Sequence, residues 1–375
     1  MGTGQKKNRP SLHVRILRIL CGILLFCLLF AAGGIALLTV LEFRPADRED
    51  IQVRESSSAG KELSSGDSFR IATWNIGYGA LGDNADFFMD GGTMVNTADK
   101  ARAEENLTGI ADILSDIDAD ILFLQEIDTD STRSHHIDQP AHLMADQRIR
   151  ACSTGSSAFA YNFRTAFVPY PIPPIGKVDS GILTASVYPI SQATRIQLPC
   201  PFKWPIRIAN LKRCLLVSRL PIKDSDKELV LINLHLEAYD NGEGKIAQAA
   251  MMTDLLREEA ATGNYIIAGG DFNQTFTSVD RSGYPEFPDK WHCGTYDVSS
   301  LTSGFSFEMD NRIPSCRSLD QPYSDAPDKD PAHFQYYLID GFIVSENLTV
   351  SSVETQDDHF RYADHNPVVM EVTIP

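Results

Sequence analysis

The most informative segment of the chain is Tyr265-Ile266-Ile267-Ala268-Gly269-Gly270-Asp271-Phe272-Asn273. Its first four residues are mostly apolar and predict a short buried strand, which the two glycines end. Asp271 and Asn273 are two residues apart, so an extended backbone would point both side chains to the same face. A carboxylate and an amide at a strand end can hold a hard cation or contact a phosphate. The same residues could instead form an Asx-type turn that only terminates the strand.

A strand–helix–strand pattern surrounds this segment. Residues 228–236 predict a strand with the apolar core Leu229-Val230-Leu231-Ile232, and residues 245–260 predict a helix that leads into the quoted strand. The same pattern occurs earlier in the chain, and both copies place polar residues at the ends of their strands. The earlier copy consists of a strand at 69–73, a helix at 98–117 and a strand at 121–124. This repeated pattern is typical of an α/β fold.

Two later segments complete the series of predicted strands. Residues 336–344 are an apolar run with Asp340 in its interior, and a buried carboxylate without a partner is strongly unfavourable. The segment Asp364-His365-Asn366-Pro367 then precedes the last predicted strand, 368–374. We therefore expect His365 to be the partner of Asp340. The stretch 127–175 shows no regular pattern and is predicted to be irregular.

Polar residues at or beside predicted strand ends form the candidate site. Each of them alone has a structural explanation, such as a turn or a cap. Eight together at the strand ends of an α/β fold predict a functional site, because such folds place their sites there. The eight are Asn75, Glu126, His235, Asp271, Asn273, Asp340, Asp364 and His365.

These segments resemble the endonuclease/exonuclease/phosphatase superfamily, which has the deoxyribonuclease-I-like fold. The matching segments occur in the family's order within residues 69–375: Thr73-Trp74-Asn75, Leu124-Gln125-Glu126, Asn233-Leu234-His235, Gly269-Gly270-Asp271-Phe272-Asn273, Ile339-Asp340-Gly341 and Asp364-His365-Asn366-Pro367. The resemblance implies a four-layer α/β sandwich, in which two packed mixed β-sheets are flanked by helices. It also implies hydrolysis of a phosphoester that depends on Mg²⁺, with Mn²⁺ as an alternative.

The resemblance implies a metal site and a proton-transfer pair. Glu126 and Asp364 would bind the metal ion, with Asn75 beside them. Oxygen ligands of this kind suit Mg²⁺. Asp340 would orient His365 and pair with its charge, and such a pair suits proton transfer.

The other implied roles concern water and the phosphate group. Asp271 would position or activate the attacking water, while Asn273 and His235 would stabilise charge on the phosphate. Many family members have Ser before the Asp-His pair, where this chain has Ala363. Activity is expected to survive this change, because the lost hydroxyl belongs to a neighbouring position and not to a catalytic one. The loop Asp83–Gly92 has no general counterpart in the family. It follows Asn75 closely and is expected to lie near the site.

The N-terminal part of the chain predicts a membrane anchor. Ile19 to Leu41 contains 23 residues without a charge, enough for a helix that spans a bilayer. Basic residues precede it, so the positive-inside rule places the N-terminus in the cytoplasm and the rest outside. The alternative is a signal peptide cut near Ala31-Ala32-Gly33, but the apolar run continues past that point. We therefore expect a single-pass protein of the plasma membrane with an extracellular catalytic domain.

The predicted organisation has four parts. They are a basic cytoplasmic tail (1–18), a transmembrane signal anchor (19–41), a flexible linker (42–68) and an endonuclease/exonuclease/phosphatase domain (69–375). The linker prediction depends on the charged and Ser/Gly-rich composition of that stretch. The seven cysteines include no C-x-x-C pair, which argues against a structural zinc site, and they allow one or two disulfides.

Net charge limits the choice of substrate. Residues 1–41 hold five of the 33 basic residues and none of the 50 acidic ones, so the rest of the chain has a net charge of −22. Such a surface repels polyanions, although a bound cation can invert the local field. The expected substrate is a phosphoester of a phospholipid head group, a small phosphodiester or a nucleic acid. The expected membrane contact is the N-terminal helix, and no protein partner is predicted.

The sequence leaves three functions in competition. The first is a membrane-anchored phosphodiesterase or phosphatase that faces outward. The second is an extracellular nuclease of the same fold, which would need basic residues along its substrate groove. The third is a catalytically inactive binding module, which the presence of all eight site residues disfavours.

Overall fold

Two seven-stranded β-sheets form the centre of the protein. They belong to a computed structural model that describes residues 11–56, 58–288, 290–301, 303–324 and 334–375. Both sheets contain parallel and antiparallel pairs. The helices are α1 (Leu12–Val40), α2 (Lys100–Ile117), α3 (Gln139–Ala145), α4 (Arg150–Ser153) and α5 (Glu243–Ala261).

The described strands form the two large sheets and two short pairs. They are β1 (Arg48–Ile51), β2 (Arg54–Glu55), β3 (Ser68–Asn75), β4 (Ile121–Asp128), β5 (Ser156–Val168), β6 (Gly176–Ser186), β7 (Gln192–Gln197), β8 (Cys214–Pro221), β9 (Glu228–His235), β10 (Tyr265–Asp271), β11 (Gln274–Phe276), β12 (Gly294–Tyr296), β13 (Phe305–Glu308), β14 (Cys316–Arg317), β15 (Tyr336–Tyr337), β16 (Asp340–Ser345), β17 (Thr349–Thr355) and β18 (Val368–Thr373). The first sheet has the order β1-β7-β8-β9-β10-β16-β13 and the second β17-β18-β3-β4-β6-β5-β2. The short pairs are β11 with β12 and β14 with β15.

Apolar side chains occupy three layers between four layers of secondary structure. The central layer joins the two sheets and includes Phe123 of β4 and Phe342 of β16. Outside the second sheet, α2 contributes Leu107 and its neighbours along one face, and outside the first sheet α5 contributes Leu256. The predicted four-layer sandwich of two mixed sheets flanked by helices is therefore confirmed.

The two strand–helix–strand units predicted from the sequence lie in different sheets. β3 and β4 are parallel neighbours connected through α2, and β9 and β10 are parallel neighbours connected through α5. The last pairs in register are Asn75 with Gln125 and His235 with Asp271. Because parallel strands end at the same edge of a sheet, the polar residues at the ends of these strands lie together along that edge.

The structure corrects the flexible linker predicted for residues 42–68. β1 pairs with β7 in the first sheet and β2 pairs with β5 in the second, so this stretch adds an edge strand to each sheet. Leu63 lies in the central layer and is only 1% exposed. β1 was not recognised from the sequence because three of its four residues are charged, which is typical of an exposed edge strand.

The stretch 127–175, predicted to be irregular, also contains regular structure. Besides α3 and α4 it holds the whole of β5, a 13-residue strand that pairs with β6. The buried side chains of β5 include Ala158, Ala160 and Asn162. Small and polar residues give little apolar alternation, which explains why the strand was missed.

Helix α1 is long and apolar enough to cross a membrane by length and composition, and none of its residues is buried. A helix with apolar side chains on all sides is unfavourable in water and is typical of a membrane span. The seven cysteines, all within the described part of the chain, are free thiols. The disulfides that the sequence allowed are therefore not formed.

Removal of the Leu63 side chain should destabilise the domain, because this residue of the predicted linker packs in the central core. We expect Leu63→Ala to lower the free energy of unfolding by about 2–5 kcal/mol through lost burial and a residual cavity. Urea unfolding of the full chain in detergent, followed by tryptophan fluorescence, measures the change. The control is Ile246→Ala on α5, where the side chain is 71% exposed. Equal stability of the Leu63 variant and the parent would show that this stretch is a linker after all.

Candidate active site

The candidate site lies where the ends of the two parallel strand pairs face each other across the sheets. Gln125 Nε2 of the second sheet donates to Asn233 Oδ1 of the first at 2.8 Å. One step closer to the edge, Asn75 Nδ2 donates to Asp271 Oδ2 at 3.0 Å. All four residues are buried. These amide contacts join the two sheets and bring the predicted site residues into one cluster.

His365 and Asp340 form a buried pair. His365 Nδ1 lies 2.8 Å from Asp340 Oδ2, and Ser315 Oγ donates to the same oxygen at 2.8 Å. Trp74 Nε1 donates to the His365 carbonyl oxygen at 2.8 Å, which fixes the backbone. Burial opposes the charged imidazole, but the Asp340 carboxylate, with smaller contributions from Cys316 and Asp364, raises the pKa of His365 well above its ordinary value. The structure thus gives the buried Asp340 the partner that the sequence required.

Asp271 stands at the centre of the polar cluster. Besides Asn75, it accepts a hydrogen bond from the backbone N–H of Asn273 at 2.8 Å. Its Oδ2 atom lies 3.3 Å from His235 Nε2 and 3.8 Å from His365 Nε2. The carboxylate therefore contacts both imidazoles and sits beside the His365 nitrogen that does not face Asp340.

Burial controls the protonation of Asp271 and His235. Burial, followed by repulsion from Asp340, raises the pKa of Asp271 to about 7, against the attraction of His365. Burial and the neighbouring Arg213 guanidinium lower the pKa of His235 well below its ordinary value. His235 is therefore a neutral imidazole at neutral pH, in contrast to His365.

Asn273 is fixed by its backbone and by its amide group. The residue has a left-handed backbone, with φ 51°, which asparagine tolerates better than most residues. Its Nδ2 atom donates to the Leu236 carbonyl oxygen at 2.9 Å. One of the two amide hydrogens is thus used within the protein, and the side chain still lines the cavity described below.

Glu126 and Asp364 supply carboxylate oxygens on the second sheet's side of the site. Glu126 has φ 52°, and its Oε1 atom lies 3.3 Å from Asn75 Nδ2. Asp364 is buried, and its Oδ1 atom has no hydrogen-bond partner among the described residues. Burial raises the pKa of Asp364 to about 6, with Glu126 adding to the effect against the attraction of His365. A buried oxygen without a partner is unfavourable unless a cation or water occupies the adjacent space.

The residues around Asp364 fit a hard cation. Gly77 has φ +52°, and a Cβ atom there would lie 2.9 Å from Asp364 Oδ1, so glycine leaves this oxygen accessible. Carboxylate oxygens are the ligands that Mg²⁺ prefers. Two groups of three residues have ligand atoms that all lie within 4.8 Å of one another. One group is Asp271, Asp340 and His365, and the other is Cys316, Asp364 and His365. Glu126 belongs to neither group, and it is the more exposed carboxylate of the site.

A cavity of about 720 Å³ opens beside the polar cluster. Seven of the eight predicted residues line it, and Asp340 lies behind His365 without reaching the surface. The loop Asp83–Gly92 reaches the same cavity through Phe87, Phe88, Met89 and Asp90. Its predicted position near the site is therefore confirmed.

Sequence reasoning missed several residues of the cavity wall. The Arg133 guanidinium lies 3.7 Å from the centre of the Tyr78 ring and forms an ion pair with Asp128. Tyr239 Oη donates to the Asp90 carboxylate at 3.2 Å. For Tyr78 a signal existed in Gly77-Tyr78-Gly79, three residues after Asn75. Arg133 comes from a stretch without any recognisable motif.

A two-sheet sandwich with paired imidazoles and carboxylates at one edge defines a class of phosphoester hydrolases. The family model described as "Endonuclease/Exonuclease/phosphatase family" matches residues 72–365, and the chain therefore belongs to this family. Its members hydrolyse phosphoesters and generally depend on a divalent metal ion. No curated protein sequence matches the chain.

Two solved structures show the same fold at low sequence identity. An endonuclease/exonuclease/phosphatase from Beutenbergia cavernae is 17% identical, with a TM-score of 0.53, over 82% of this chain and 72% of that one. A family protein from Bacteroides thetaiotaomicron is 16% identical, with a TM-score of 0.50, over 83% of this chain and 99% of that one. At such identities the likeness shows the fold alone.

Binding of Mg²⁺ should depend on the carboxylates at the second sheet's edge. We expect Mg²⁺ to raise the melting temperature of the full chain, since a ligand at 100 times its Kd stabilises a protein by about 2.7 kcal/mol. Glu126→Gln and Asp364→Asn should remove most of this shift, as measured by differential scanning fluorimetry with and without chelator. Glu104→Gln on α2, an exposed carboxylate that does not line the cavity, is the control. A full shift in both site variants would place the ion elsewhere.

Proposed function

We propose that this protein is a membrane-anchored, outward-facing phosphoester hydrolase that uses a divalent metal ion and a His–Asp pair. The observation that supports it best is the buried chain of contacts Asp340–His365–Asp271, with spacings of 2.8 Å and 3.8 Å. A charged imidazole held between two carboxylates at the base of a cavity is suited to proton transfer and to binding an anionic phosphate.

Each side chain has a role that its contacts allow. Asp340 holds His365 Nδ1, so that Nε2 points toward the substrate and stabilises charge on the phosphate. Asp271 is held by the side-chain amide of Asn75 and by the backbone N–H of Asn273, and it orients the attacking water. His235 and Asn273 contribute neutral donors for the phosphate oxygens.

Glu126, Asn75 and Asp364 would hold the metal ion, Mg²⁺ with Mn²⁺ as the alternative. The ion would neutralise charge on the phosphate and on the departing oxygen. The chain's own part is to leave Asp364 Oδ1 without a hydrogen-bond partner among the described residues and to hold Glu126 at the cavity surface.

Charge and helix α1 support the proposed orientation. Basic residues precede the apolar helix and the acidic domain follows it, and under the positive-inside rule this distribution favours an N-terminus in the cytoplasm and a domain outside. The plasma membrane is the proposed location.

Substitution of His365 should impair turnover with the fold intact. General acid–base help is worth ~10²–10⁴ in rate, so we expect His365→Ala to reduce kcat by about that factor on a soluble phosphodiester. Asp340→Asn should act in the same direction, and the double variant should be little worse than the worse single one. His142→Ala, an exposed histidine on α3, is the matched control. Unchanged turnover in His365→Ala would leave the residue a purely structural role, and strictly additive losses would show separate functions.

Membrane attachment through α1 predicts how the protein fractionates. We expect the intact chain to stay in the membrane fraction after a carbonate wash, since an apolar span is not extracted by high pH. External protease should remove the domain from whole cells, while a cytoplasmic marker protein stays intact as the control. A soluble, N-terminally trimmed form in the medium as the main species would instead support a cleaved signal peptide.

A further inference from the structure

The catalytic cavity has one wall that comes from the membrane helix. Ile35 and Leu38 of α1 line the same cavity as Glu126, Asp271 and His365. The helix therefore forms part of the space where substrate binds, in addition to attaching the domain to the membrane.

The position of these two residues along α1 places them at the membrane boundary. About 20 apolar residues are needed to cross the hydrocarbon core of a bilayer. Counted from Ile19, after the last basic residue of the tail, that length ends near Leu38. Ile35 and Leu38 thus belong to the last turns of the span on the side of the catalytic domain.

Specific contacts fix the end of α1 to the domain. The Glu42 side chain is only 2% exposed. Its carboxylate forms ion pairs with Arg207 Nε at 3.2 Å and with Lys212 Nζ at 3.3 Å. Trp204 Nε1 donates to Thr39 Oγ1 at 3.2 Å. The helix end is held by these contacts, so the cavity keeps a set orientation relative to the span.

Exposed apolar side chains occur on this side of the cavity, and two of them, Tyr170 and Ile206, are part of its lining. Ile172 is 92% exposed, and Tyr170, Trp204 and Ile206 are also exposed. The Phe88 and Tyr170 rings lie 6.0 Å apart, which joins the loop after β3 to the turn between β5 and β6. Exposed isoleucine, tyrosine and tryptophan beside a membrane span are typical of a surface that inserts into the bilayer interface.

Arg133, Arg213 and Arg317 line the cavity, and each already has a partner. Arg317 is buried and donates to the Ser318 and Gly82 carbonyl oxygens at 2.9 Å and 2.8 Å. Arg133 forms its ion pair with Asp128, Arg213 pairs with Glu237 at 3.3 Å, and Lys212 pairs with Glu42. A nucleic acid needs cations that are free to neutralise successive phosphates. The lining of the cavity is instead mostly apolar.

We propose that the last turns of α1 and the exposed apolar rim (Tyr170, Ile172, Trp204 and Ile206) form an access path for a membrane phospholipid. The acyl part of the lipid would lie against Ile35 and Leu38, while its phosphoester reaches the polar cluster. In the reaction, a water oxygen forms a bond to phosphorus, one phosphoester P–O bond breaks, and the departing oxygen takes up a proton. This proposal rests on the proposed phosphoester hydrolysis and adds the substrate class.

Substitutions within the path separate lipid access from chemistry. Leu38→Trp fills the cavity next to the helix and stays apolar, and Leu37→Trp is its control because Leu37 does not line the cavity. Ile172→Asp and Ile206→Asp place charge on the rim, and Ile246→Asp is their control. The full chain is assayed in vesicles of equal parts phosphatidylcholine, phosphatidylglycerol and sphingomyelin. Bis(4-nitrophenyl) phosphate and a single-stranded DNA oligonucleotide are the soluble probes.

We expect the path variants to lower hydrolysis of vesicle phospholipid about tenfold, since loss of one buried apolar side chain costs roughly that factor. Hydrolysis of the soluble diester should be unchanged in Ile172→Asp, because this side chain does not line the cavity, and the controls should match the parent. Equal loss on lipid and soluble diester in Ile172→Asp, no loss on lipid in the path variants, or preferred cleavage of DNA would overturn the lipid path and leave the hydrolase proposal intact. A parent protein that hydrolyses none of the probes would overturn both.

Discussion

The site depends on the cost of burying carboxylates and amides between two apolar sheets. Every such group needs a partner, because an unpaired polar group in this environment is strongly unfavourable. Asn75 meets this need by donating from the second sheet to Asp271 on the first. Gln125 and Asn233 do the same one step deeper. Cross-sheet partners therefore set the relative position of the two strand pairs, and with it the spacing of the groups at their ends.

The sequence predicted the parts of the fold that carry strong periodic signals. The apolar runs of β4, β9 and β10, and the helices between the strands, were clear because both faces of these strands are covered. β1 and β2 were not predictable, since their short, charged sequences are stabilised by pairing with β7 and β5 and not by local preference. Tertiary contacts of this kind leave no local pattern.

The candidate site likewise contains residues that a local sequence pattern reveals and residues that only tertiary contacts reveal. Residues at the ends of buried strands were found because parallel strands end at one edge, and Asp340 was found because a carboxylate stood inside an apolar run. Ser315 was missed although it donates to Asp340, since it lies 25 residues away in a loop-rich stretch. The metal-site roles of Glu126, Asn75 and Asp364 came from the family resemblance. Their contacts are compatible with those roles, which stay predictions.

The contacts of Glu42 hold the end of helix α1 in one position against the domain. A flexible linker would suffice to keep a domain near a membrane. Here a carboxylate is buried with Arg207 and Lys212, and the desolvation of such groups offsets much of their attraction. Contacts of this kind contribute little net stability, but they specify one geometry. A fixed geometry matters only if the direction of the cavity relative to the bilayer matters, as it does for a substrate that stays in the membrane while its phosphoester is hydrolysed.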